Sequence, residues 1–160
     1  MIRWPVVALA VLALGATARG PQAFRFEPDA TAELRRLWTG SRDAKTERVA
    51  CLAGETRRDT VMIIRILPLT GWADSLGVSA APSLETCAPP RWQGTVHTHV
   101  ALYDGARPYS RFSGADRGVN GLWWRRWHAE GLFCVLYSAT GAYCEIDGPR
   151  GVAIFPRSAY

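Results

Sequence analysis

The chain has 160 residues, 48% of them hydrophobic and 21% charged, with 15 Gly and 10 Pro, a balance that excludes disordered, collagen-like and tandem-repeat architectures. Nineteen Lys and Arg against 14 Asp and Glu leave a formal net charge of +5, a modest excess. No apolar run reaches the roughly 20 residues that a membrane-crossing helix needs, so a polytopic membrane protein is excluded.

The N-terminus reads as an export signal. Arg3 supplies the positive start, Trp4 to Leu14 is apolar throughout, and Ala16-Thr17-Ala18 has the small-x-small form of a cleavage site. Cleavage after Ala18 is expected, leaving residues 19–160 as a single domain. Because Arg3 is lost, 18 basic residues then face 14 acidic ones, a net charge of +4. No Cys follows the apolar run, so no lipid anchor is expected. The mature chain is expected in the periplasm or secreted, without stable membrane insertion.

Residues 19–27 read as an extended lead-in with little periodicity. Pro28-Asp29-Ala30-Thr31 opens a helix, with Ala32, Leu34, Leu37 and Trp38 at near-helical spacing and Gly40 as its stop. Two strands follow, Arg48 to Ala53 and Val61 to Leu67, joined by the polar turn Gly54 to Thr60. Pro68 to Pro90 is rich in Pro, Gly, Ser and Ala and reads as a long irregular connection. Strand character returns at Arg91. There Trp92, Gly94, Val96 and Val100 share one parity and Gln93, Thr95, His97 and His99 the other, which turns both histidines away from the apolar side.

A loop from Ala101 to Phe112 leads to Ser113-Gly114-Ala115-Asp116 and a helix ending near Gly131. Leu132 to Tyr137 and Ala142 to Ile146 then form a hairpin, and Gly151 to Phe155 adds an edge strand. Cys134 and Cys144 would meet across the hairpin, leaving Cys51 to pair with Cys87. Four cysteines in an exported chain, with no C-x-x-C pair, favour disulfides over metal thiolates.

The strongest chemical signal is His97-Thr98-His99. Residues two apart on a strand project to the same side about 7 Å apart, close enough for both imidazoles to bind one ion. By itself the motif is equally a pair of exposed strand histidines. Ser113-x-x-Asp116 offers a third ligand. It also has the form of a helix N-cap, and the two roles are compatible, since an acid in the first helical turn is held in place. His97, His99 and Asp116 would give zinc three protein ligands and leave a fourth position open, the arrangement of a catalytic rather than a structural site.

On these motifs the sequence resembles the JAMM (MPN+) metallopeptidases. Glu47-Arg48-Val49-Ala50-Cys51-Leu52-Ala53-Gly54 matches that family's E-x-x-G-L-L-x-G, with Ala50 and Cys51 as departures, and is followed by H-x-H and S-x-x-D in the family's order. The loop before Ser113 is longer than usual in the family. The resemblance implies an α/β (α+β) fold, a mixed central sheet flanked by helices in the cytidine-deaminase-like JAB/MPN architecture. It also implies one catalytic zinc ion and hydrolysis of a peptide or isopeptide bond in a protein substrate by metal-activated water. Glu47 would be the acid/base and Ser113 the donor to the oxyanion, a contact worth roughly 2.7–4 kcal/mol in other hydrolases. Without the resemblance, Glu47 reads as an exposed acid at a strand end.

Trp123, Trp124, Arg125, Arg126, Trp127 and His128 form an aromatic and basic cluster. Such a cluster can stack on nucleic acid or lie on a membrane surface, but it reads better as a helix that packs Trp123 and Trp127 on the sheet and leaves its arginines in solvent, with His128 a surface residue and no nucleic-acid partner expected. In the loop, Tyr103, Arg107, Tyr109 and Arg111 are candidates for substrate contact. The competing functional reading is an exported, non-catalytic JAB/MPN-like binding module.

Overall fold

A computed structural model describes residues 20–70, 80–102, 105–148 and 152–157. The export signal, residues 71–79 of the connection and Tyr103 lie outside the described residues. The elements, in chain order, are β1 (Ala23–Phe26), α1 (Pro28–Ala44), β2 (Val49–Arg57), β3 (Thr60–Pro68), α2 (Ala80–Thr86), β4 (Gly94–Thr98), α3 (Gly114–Trp127), β5 (Gly131–Leu136), β6 (Ala142–Asp147) and β7 (Val152–Pro156).

The strands form a closed barrel in the order β1-β3-β2-β4-β5-β6-β7. This overturns the expected central sheet of JAB/MPN type with helices on its flanks. The reason lies in two short segments. Ala23–Phe26, part of the segment read as an extended lead-in, is a strand that pairs parallel with β3 and with β7. Val152–Pro156, read as an edge, therefore has neighbours on both sides, β6 and β1. Once β1 bridges them the sheet has no free edge.

The rest of the ladder follows from local sequence. β2 and β3 form a hairpin whose register shifts between Ala53 and Gly54. There a Cβ on Gly54 would stand 2.2 Å from the Met62 carbonyl oxygen, so only glycine fits. β4 runs antiparallel to β2 and parallel to β5, and β5 and β6 make the expected hairpin. Cys134 and Cys144 are direct cross-strand partners in it and form one disulfide; Cys51 and Cys87 form the other.

Side-chain alternation divides the interior in two. Ala50, Leu52, Val96, Cys134 and Leu136 pack on one face of their strands with Ala30, Leu34, Leu37 and Trp38 of α1. Cys51, Ala53, Phe133 and Val135 pack on the other with Trp92, Phe112 and Trp123. Trp92 and Val96 thus lie in different clusters despite equal parity, and Gly94, at φ +153°, stands between them. α1 runs on past Gly40 to Ala44 and ends on Lys45 in the left-handed conformation. The Ala-rich end of the connection, expected to be irregular, contains α2.

Candidate metal centre

His97 is the fourth residue of β4 and His99 follows the end of the strand, its N–H donating to the Leu136 carbonyl. Both project toward α3. They point away from the Val96 side, as the alternation predicts, but the opposite side carries its own cluster, so both are buried, at 8% and 7% exposure, and are not exposed strand histidines. Phe112 covers His97 with ring centroids 6.0 Å apart, and the Tyr109 ring stacks on His99 at 6.3 Å. The long loop thereby walls in the histidines.

Asp116 arrives from α3. Ser113 caps the helix: its Oγ accepts from the Asp116 N–H at 3.2 Å, and Asp116 Oδ2 accepts from the Ser113 N–H at 2.6 Å. Reciprocal bonds of this kind fix the acid's rotamer, so the cap and the ligand are one residue in one pose. Asp116 Oδ1 lies 3.2 Å from His97 Nε2, Oδ2 lies 3.4 Å from His99 Nε2, and the two Nε2 atoms are 3.0 Å apart. Donor atoms each about 2.0–2.1 Å from a tetrahedral zinc stand roughly 3.3 Å apart. The separations here are of that order, and His97, His99 and Asp116 form a group able to hold a metal ion.

Hydrogen bonds around the ligands suit this role. His99 Nδ1 donates to the Tyr109 carbonyl at 2.7 Å, which leaves Nε2 as the ligand atom. Tyr109 was picked out in the sequence for substrate contact; here its ring covers His99 and its carbonyl accepts from the imidazole, and the backbone part of that role leaves no residue-type signal. Burial opposes a charged His99, but the Asp116 carboxylate, the Tyr109 carbonyl and the Glu47 charge outweigh it and raise the ring's pKa. Burial also opposes ionisation of Asp116, and bonds from His97 and His99 overcome it, holding the carboxyl well below the usual range.

Glu47 lies between α1 and β2. Its reading as an exposed strand-end acid is corrected by the structure, in which it is buried at 6% exposure. Val49 pairs with His97, and the Thr98 N–H donates to the Arg48 carbonyl at 3.0 Å. Continuing that register sets Glu47 across from His99. Ser113, half-buried beside Asp116, uses its oxygen lone pair for the cap and keeps its hydroxyl proton available.

Beside the centre, Arg107, Pro108, Tyr109, Ser110, Tyr137 and Ser138 line an open cavity of about 490 Å³. The Arg111 guanidinium lies 4.1 Å from the centre of the Tyr143 ring. Trp123 is buried edge-on to Phe133, Trp127 is half-buried with its indole N–H donating to the Leu84 carbonyl, and Arg125, Arg126 and His128 are exposed. The aromatic and basic cluster is thus a packed helix with a solvated face, and His128 takes no part in the centre.

No protein-family model matches the chain, and no curated protein matches it. Among solved structures, it is similar to the solution structure of protein DSY2949 from Desulfitobacterium hafniense, with a TM-score of 0.56 and 15% identity over 83% of this chain and 90% of that one. At that identity the likeness concerns the fold alone.

Proposed function

We propose that this protein is a zinc-dependent hydrolase that cleaves peptide or isopeptide bonds, acting after export. The observation that carries the proposal is the convergence of His97, His99 and Asp116: the two Nε2 atoms are 3.0 Å apart, and the Asp116 carboxylate reaches them with Oδ1 at 3.2 Å and Oδ2 at 3.4 Å. Three ligands suit a catalytic rather than a structural zinc, which is usually closed by four. The motif resemblance to JAMM metallopeptidases supports the reading through these residues and not through the architecture.

A zinc ion held there supplies Lewis acidity that makes water nucleophilic near neutral pH. Glu47, buried across from His99 and not among the three ligands, accepts the proton of the attacking water and delivers it to the departing amine. The Ser113 hydroxyl donates to the carbonyl oxygen as negative charge develops on it. Tyr109 keeps His99 in the tautomer that presents Nε2, and Phe112 limits access of bulk water to His97. The adjoining cavity gives a substrate side chain room beside Tyr109. Two disulfides fit an oxidising compartment, and export delivers the enzyme there.

The test is zinc content and cleavage of a peptide library before and after chelation. One zinc per chain, with cleavage lost on chelation and restored by zinc, is the expected result. Stoichiometric zinc without cleavage of any amide, at high protein concentration, would favour a binding module instead. Glu47→Gln separates these two: for a hydrolase it abolishes turnover while zinc remains bound.

A further inference from the structure

Glu47 stands outside every strand and helix, yet the antiparallel register of β2 and β4 sets it across from His99. The groups that hold it lie on the opposite side of β4. Thr98, the middle residue of the histidine motif, alternates away from its neighbours and meets Ser41 of α1; both are completely buried. Their hydroxyl oxygens are 2.5 Å apart. Thr98 Oγ1 also accepts from the Arg48 N–H at 2.9 Å, and Ser41 Oγ donates to the Thr46 carbonyl.

These contacts have one consistent proton order. A carbonyl only accepts, so the single hydroxyl proton of Ser41 is committed to Thr46, and the bond between the hydroxyls is donated by Thr98. The chain then runs from the Arg48 N–H to Thr98, from Thr98 to Ser41, and from Ser41 to the Thr46 carbonyl. Its two ends are the peptide groups on either side of the Glu47 α-carbon. The next peptide groups outward are tied as well, since the Thr46 N–H donates to the Ser41 carbonyl and the Thr98 N–H to the Arg48 carbonyl, each at 3.0 Å. With both flanking peptide planes fixed, little freedom remains in the backbone of Glu47.

We infer that Thr98 and Ser41 are positioning residues that aim Glu47 at the metal centre through the opposite side of β4. The inference rests on the acid/base role proposed for Glu47. Thr98→Val keeps the shape of the side chain but removes the acceptor of the Arg48 N–H, whereas Thr98→Ser keeps the whole chain of bonds. In the zinc-loaded protein, Thr98→Val is expected to lower kcat about 10- to 100-fold, the effect of a misplacement near 1 Å. KM and zinc stoichiometry should stay unchanged, and Thr98→Ser should restore most of the rate. A loss that Thr98→Ser does not restore, or one confined to KM, would overturn the inference.

Crystal structures of the zinc-loaded wild type and Thr98→Val give a reading independent of turnover. A Glu47 carboxylate displaced by about 1 Å or more supports the inference, and one that stays in place overturns it. If the wild type cleaves no amide, the hydrolase proposal fails while this comparison still decides the positioning role. Should Thr98→Val not fold, Ser41→Ala interrupts the same chain one link further on and is read in the same way.

Discussion

The protonation of single side chains ties metal binding to pH with a definite sign. His99 is raised above the ordinary imidazole value of about 6.5. In the metal-free protein its contribution to stability is therefore complete below that pH and is lost as pH rises through the raised folded value. A zinc ion bound as proposed would need the neutral ring, so its affinity would move the opposite way and increase across the same window. Thermal melts of the metal-free protein should show Tm falling as pH is raised from about 6 to 8, and His99→Gln should flatten that slope. A slope unchanged in His99→Gln would assign it elsewhere. Asp116 acts at the acid end: its depressed pKa gives stability that is present above the usual carboxylate value and lost as pH falls through the folded one. The ligands themselves were legible in the sequence because H-x-H and S-x-x-D are local patterns, each set by one strand or one helix turn. Burial of Glu47 was not legible, since it depends on β2 lying beside β4, nearly fifty residues away.

Strands and helices decide how closely those ligands can approach. Gly94 opens β4 at φ +153°, and a Cβ there would fall 1.8 Å from the Leu132 carbonyl oxygen, inside the β4–β5 ladder. Gly94→Ala should separate the two strands or shift β4 along β5, costing about 3 kcal/mol or more, the range of severe backbone strain. Denaturant titration would measure the loss, and zinc affinity should fall with it because His97 and His99 move with β4. A stable Gly94→Ala protein with undiminished zinc binding would refute this account. In the sequence Gly94 looked like one more member of an apolar alternation, because a backbone angle leaves no trace in the parity of side chains. The β2–β3 and β5–β6 hairpins were legible from β-branched runs and their turns. α2 was not, since only a few Ala and Leu residues mark it in a stretch dominated by Pro and Ser.

Across the whole molecule, the two disulfides differ in what they restrain. Cys134–Cys144 closes a separation of 10 residues within one hairpin, whereas Cys51–Cys87 closes one of 36 and joins β2 to the segment after α2. By loop-closure entropy the first stabilises by about 3 kcal/mol and the second by about 4. Paired Cys→Ala variants should therefore rank in that order by urea unfolding, and the reverse order would mean that local packing outweighs chain entropy. Closure of the barrel was the least legible property of all. It depends on four residues, Ala23–Phe26, too few to carry a periodic signal and far in sequence from β7.

That closure has a consequence for when the protein takes shape. Ala23 lies beside Phe155 and Phe24 beside Pro156, so the seam joins the two extremes of the folded chain. Non-local contacts of this kind form late, and this one has no partner until the last strand has been made. A nascent chain emerging from the ribosome therefore cannot seal its barrel before Val152–Pro156 has emerged. Until then β1 has β3 alone as a neighbour, and the barrel stands open along one side.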